Sequence, residues 1–140
     1  NEMLVFPLHP RTKLALKNHL SSELYFKLSQ NKKIKLLPPV SFLDMISLES
    51  HCKLVITDSG GVQKEAFFFQ KPCLVLRQET EWIEQVQLGT TILTDIDKEK
   101  IMEGYNHFVN SETDLKFPNL YGDGKTANYI CKSILSAIRI

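Results

Sequence analysis

The stretch Leu54-Val55-Ile56-Thr57-Asp58-Ser59-Gly60-Gly61-Val62-Gln63-Lys64-Glu65 decides how this chain is read. A short apolar run ends in a polar turn, and a helix-like segment follows two adjacent glycines. Runs of continuous Leu, Val and Ile suit strands covered on both faces, as in parallel sheets. In open α/β sheets, ligands bind beyond the carboxyl ends of the strands. Two glycines let the backbone approach a ligand closely. A helix that starts there points N–H groups and a positive dipole end at the same spot. A phosphate or diphosphate fits this arrangement, and Ser59 adds a hydroxyl. Glu65 lies one helical turn on, where a carboxylate suits ribose hydroxyls better than phosphate. The plainer alternative is a tight Gly-Gly turn with Asp58 or Ser59 as helix N-cap.

Outward from this centre, the pattern repeats. Strands are expected at Met3–Leu8, Ile34–Leu37, Leu54–Thr57, Cys73–Leu76 and Thr91–Leu93. Helices are expected over Thr12–Gln30, Phe42–Ser50, Gly61–Phe69, Glu81–Leu88, Lys98–Asn110 and Lys125–Arg139. Such alternation predicts one open, Rossmann-like parallel sheet with helices on both faces. Pro38-Pro39, Gly60-Gly61, Pro72 and Gly89 punctuate the boundaries. Ser111–Gly124 is the longest irregular stretch, and a loop of that length is often functional.

The 140 residues suit one domain with one core, and the formal charge of +1 gives no reason to expect nucleic acid or a membrane surface. The three cysteines, Cys52, Cys73 and Cys131, lack paired spacing and read as reduced thiols of a cytoplasmic protein. No apolar stretch is long enough to span a bilayer. Zinc-ligand spacing, a Walker A sequence, GxGxxG and GxSxG are all absent from the sequence.

Other candidates sit at expected carboxyl edges. His9 ends the first strand, and Arg11 opens the helix after it. A basic residue is unfavourable at a helix N-terminus, so a nearby anion would account for it. Pro38-Pro39-Val40-Ser41-Phe42 can hold a flat base edge through main-chain groups, or simply start a helix with Ser41 and Asp44 as a capping pair. Arg77 and Trp82 follow the fourth strand. Trp82 reads most simply as a plug of its helix onto the sheet.

In chain order, VFPLHPRT, LPPVSFLDMISL, LVITDSGGVQKEA, KPCLVLRQETEW and NLYGDGKTA resemble the bacterial non-hydrolysing UDP-N-acetylglucosamine 2-epimerases over nearly the whole chain. The resemblance implies the second, UDP-binding domain of a two-domain fold similar to one class of glycosyltransferases, with residues 1–140 forming that domain, incomplete at its N-terminal side. It implies that Ser59, Gly60 and Gly61 bind the diphosphate and Glu65 the ribose. It places uracil at the loop from Pro39 through Met45, which includes Val40. His9 falls on a histidine that affects catalysis, and Arg11 and Arg77 on the UDP-sugar side. Trp82 stands where many members carry an arginine.

No cofactor is implied. The implied reaction eliminates UDP to leave a 2-acetamidoglucal, then re-adds it with inversion at carbon 2, in cell-envelope polysaccharide synthesis. The acidic residues that move the proton belong to the family's first domain, so these 140 residues alone are expected to be inactive. Pairing with that half or with a second copy is expected, and the sheet is expected to be completed by dimerisation or an altered strand order. A retaining glycosyltransferase domain and a non-catalytic nucleotide-binding module are the alternatives.

Overall fold

The computed structural model describes residues 2–110 and 114–138. The expected irregular stretch Ser111–Gly124 therefore lies partly outside the described residues, as does Arg139. The chain divides into two compact units, Asn1–His51 and Cys52–Ile140.

The first unit runs β1 (Leu4–Pro7), α1 (Pro10–His19), α2 (Ser22–Gln30), β2 (Ile34–Leu37) and α3 (Phe42–His51). β1 and β2 pair in parallel, Leu4 against Ile34 through Pro7 against Leu37. Thr12–Gln30 is therefore two helices rather than one. The first begins earlier, with Pro10 at a position where its missing N–H costs nothing. The chain is extended at Leu20 (ψ 140°) and Ser21 (ψ 151°). The Ser21 hydroxyl then accepts from the Leu24 N–H and starts a second helix.

The second unit runs β3 (Val55–Thr57), α4 (Gly60–Phe68), β4 (Cys73–Val75), α5 (Ile83–Gln87), β5 (Thr91–Leu93), α6 (Lys98–Asn110) and α7 (Thr126–Ile138). Its parallel sheet has the order β3-β4-β5. Among the described residues the expected single open sheet is thus two sheets, of two and three strands, because each ladder pairs strands of its own unit. The class is unchanged: α/β, with parallel strands joined through helices.

The core of the second unit lies under β4. Leu74, Val75 and Ala66 are fully buried, with Cys73 1% and Val55 8% exposed. Gly104 in α6 allows a close approach, since a Cβ there would lie 2.6 Å from Leu74 Cδ2. Cys131, on α7, is exposed and Cys52 is half-buried. No described helix is long and apolar enough to cross a membrane.

Candidate functional site

Parallel pairing puts the strand carboxyl ends of each unit on one edge. In the second unit, the Leu76 N–H donates to Thr57 O at 2.9 Å and the Thr94 N–H to Val75 O at 2.9 Å. The turn after β3 and the segment after β4 therefore lie side by side. Ser59, Gly60, Gly61, Glu65 and Arg77 all belong to this edge or to the helix rising from it.

Ser59 is the N-cap of α4. Its hydroxyl accepts from the Val62 N–H at 3.5 Å, its carbonyl from the Gln63 N–H at 3.1 Å, and its own N–H donates to Thr57 Oγ1 at 3.0 Å. The capping reading of Ser59 holds, while Asp58 stays outside the cap. Neither glycine has a positive φ, and both lie inside α4 rather than in a separate turn before it. Both are the first residues of the helix, where N–H groups have no intrahelical partner. Among the described residues, neither the Gly60 nor the Gly61 N–H has an intramolecular acceptor.

The two glycines differ in their surroundings. A Cβ on Gly60 would lie 3.1 Å from Glu81 Oε2 and 3.8 Å from Trp82 Nε1. On Gly61 it would meet only Ser59 Oγ at 3.7 Å, an ordinary contact. Packing within the chain thus explains a glycine at position 60 but not at 61. Glu65 is half-buried in the middle of α4.

Arg77 does not stand free. Its guanidinium forks onto Glu81, Nη2 to Oε1 at 2.8 Å and Nη1 to Oε2 at 3.1 Å. Those hydrogen bonds hold the Glu81 carboxyl below the usual carboxylate range and raise the guanidinium. Arg77 therefore first neutralises a carboxylate that leans on Gly60, and a ligand would have to share it.

Trp82 does more than plug a helix. α5 starts only at Ile83, because Thr80, Glu81 and Trp82 are committed elsewhere. The indole N–H donates to Gly60 O at 2.8 Å. The Trp82 N–H donates to Thr80 Oγ1 at 3.1 Å, and that hydroxyl donates to Oε1 of the fully buried Gln63. Tyr121 meets the indole edge-on, centroids 5.5 Å apart, and the Lys64 ammonium lies 4.6 Å from its ring centre. Lys64 also sits 4.8 Å from the Tyr121 ring. Buried Gln85 donates to the Tyr121 hydroxyl at 3.0 Å, and burial raises that phenol above its ordinary value. Sequence reading missed Gln63, Lys64, Thr80 and Tyr121. Their partners lie far along the chain, so no local spacing announces them.

In the first unit, His9 is the N-cap of α1, and its Nδ1 accepts from the Arg11 N–H at 3.3 Å. With Nδ1 as acceptor, a neutral imidazole carries its proton on Nε2. Arg11 is exposed in the first turn of α1. Val40 and Met45 are half-buried on either side of the α3 start. That start is the expected capping pair: the Asp44 N–H donates to Ser41 Oγ at 3.2 Å and Ser41 Oγ donates to Asp44 Oδ2 at 2.6 Å. The Leu8 N–H donates to Leu37 O at 2.9 Å, so the turns after β1 and β2 share one edge. Among the described residues, no group of three His, Cys, Asp or Glu could hold a metal ion.

Residues 1–135 match the family model described as UDP-N-acetylglucosamine 2-epimerase. The chain is 46% identical over 108 residues to a UDP-N-acetylglucosamine 2-epimerase homolog of Methanococcus maripaludis, covering 77% of this chain and 29% of that protein. It is 37% identical to a UDP-2,3-diacetamido-2,3-dideoxy-D-glucuronate 2-epimerase of Pseudomonas aeruginosa, covering 92% and 34%. It superposes on the crystal structure of the Methanocaldococcus jannaschii UDP-GlcNAc 2-epimerase in complex with UDP-GlcNAc and UDP with a TM-score of 0.80 and 39% identity, covering 96% of this chain and 36% of that one. The chain thus spans about a third of the length of these relatives, which are archaeal as well as bacterial.

Proposed function

Because this chain belongs to the UDP-N-acetylglucosamine 2-epimerase family, we propose that it is the UDP-holding part of an isomerase that inverts carbon 2 of a UDP-linked 2-acetamido sugar. The observation that carries this is the start of α4, where, among the described residues, two adjacent N–H groups lack acceptors and no contact requires a glycine at position 61. A diphosphate oxygen placed there would take both N–H groups and the helix dipole. Gly61 leaves room for it.

Ser59, Gly60 and Gly61 then hold the diphosphate, and Glu65 accepts from the ribose hydroxyls. Arg77 lends positive charge while paired with Glu81. For the first unit, the family resemblance alone supports a uracil role for the loop from Pro39 through Met45, with Val40 and Met45, and a sugar-diphosphate role for His9 and Arg11. Charge grows on the leaving phosphate as the bond to carbon 1 breaks, and fixed N–H donors stabilise that charge without reorganising. The same grip would keep UDP bound until it is re-added. The chain is read as a domain of a two-domain, glycosyltransferase-like fold, acting in the cytoplasm in the synthesis of cell-envelope polysaccharide.

Titrating UDP against the chain should raise its melting temperature, since a ligand that binds only the folded state stabilises it. Gly61→Val and Glu65→Ala should remove the shift without unfolding the chain. A shift that survives Gly61→Val would move the diphosphate elsewhere. The 140 residues alone should not convert UDP-N-acetylglucosamine, and turnover by the pure chain would refute that part. Pairing with the family's other half or a second copy belongs to the same proposal. It is motivated by the exposed apolar face of β1, with Leu4 46% and Phe6 38% exposed, and a strictly monomeric chain by light scattering would count against the second copy.

A further inference from the structure

We propose that Trp82 is a positioning residue for the Gly60-Gly61 peptide, through the hydrogen bond from its indole to Gly60 O. The inference rests on the diphosphate reading above and deepens it. The carbonyl of Gly60 and the N–H of Gly61 belong to one planar peptide group. A donor on that carbonyl therefore fixes the direction in which the Gly61 N–H points. It also polarises the peptide and strengthens that N–H as a donor, since hydrogen bonds in series reinforce one another. A helix uses one lone pair of each carbonyl, so the second is available to the indole.

The indole is itself held on several sides. Its backbone N–H donates to Thr80 Oγ1, whose hydroxyl reaches Gln63 Oε1 one turn further along the same helix. Tyr121 packs against one side of the ring and the Lys64 ammonium lies 4.6 Å from its centre. Trp82 and Thr80 thus staple the segment after β4 to α4 at two levels, Gly60 and Gln63. Glycines at the start of a helix are the residues freest to wander, so a donor grip built on them needs an outside restraint. Trp82 supplies it at 2.8 Å from Gly60 O.

The test replaces the N–H while keeping the ring. Trp82→Phe retains an aromatic face for Lys64 and Tyr121. Substitution by 3-benzothienylalanine keeps the whole bicycle and swaps N–H for sulfur, which covers the case in which Trp82→Phe fails to fold. Without ligand, the Gly61 amide proton should move upfield in either variant, while the melting temperature changes little. With UDP, affinity by calorimetry should fall roughly fivefold, the effect of one neutral hydrogen bond.

An unchanged Gly61 amide overturns the positioning role whatever UDP does. A shifted amide with unchanged UDP affinity overturns its bearing on the ligand. Failure of the unsubstituted chain to bind UDP, with the amide still responsive in the variants, sinks the diphosphate reading and the functional half of this inference, and leaves the peptide restraint standing.

Discussion

The two units present the same layout, a strand followed by a helix at a carboxyl edge, but they fix that edge differently. In the first unit, α1 and α2 have no fully buried residue, and β1 exposes Leu4, Val5 and Phe6 by 46%, 36% and 38%. Its edge is held by local caps: His9 on Arg11, Ser41 on Asp44. In the second unit, β4 is wholly buried, and its edge is held by partners far apart in sequence, Trp82 with Gly60 and Thr80 with Gln63. Local caps specify where a helix starts. Long-range polar contacts specify where its first N–H groups point. The second unit has both, which suits the part proposed to grip a charged leaving group.

The largest test of this contrast is one truncation made twice. Leu74→Ala, at 0% exposure, should cost about 2–5 kcal/mol, as for a buried leucine that leaves a cavity. Leu4→Ala, at 46% exposure, should cost about 1 kcal/mol or less. Chemical denaturation measures both, and equal costs would erase the distinction between the units. Next in size is Gly104→Ala. The added methyl would press on Leu74 at 2.6 Å, and overpacking of this kind costs about 1–3 kcal/mol. Faster amide exchange confined to β4 and α6 would show it, and an unchanged urea midpoint would mean that the helix shifts at no cost.

The smallest effect is a pH dependence at Arg77 and Glu81. The folded-state carboxyl of Glu81 is held below its unfolded value by the hydrogen bonds from Arg77. Its contribution to stability is therefore present above the unfolded value of about 4.3 and fades as pH falls through the lower folded value. The pair is open to solvent, so salt should weaken it. The stability gap between the unsubstituted chain and Glu81→Gln should narrow from pH 6 to pH 3. A gap that widens on acidification would assign Glu81 a different partner.

Much of this was legible in the sequence, for a physical reason. Short apolar-rich runs bounded by Gly and Pro mark strands, so Ile34–Leu37 and Thr91–Leu93 fall where the pattern puts them, as does the helix Lys98–Asn110. Ser59 before Gly-Gly announces a cap, and Ser41 with Asp44 a capping pair. The break at Leu20-Ser21 was not legible, because a serine inside a helical pattern can sit in the helix or start the next one, and no Gly or Pro decides it. The division into two sheets was not legible either, since apolar patterning says that a strand is covered but not which strand lies beside it. Least visible was the role of Trp82. Spacing placed it at the right edge, but its partners are Gly60 and Tyr121, and only the fold brings them together.

The three cysteines carry a consequence of a different kind. Cys73 lies at 1% exposure in the middle strand of the second unit, whereas Cys131 is exposed on α7. A thiol reagent meets Cys131 at once, but reaches Cys73 only when β4 leaves its sheet. Within one molecule, the first alkylation is a zero-time mark and the slow one a clock. Mass spectrometry of the two peptides would time the opening of the buried sheet, with no label added at the two glycines that open α4.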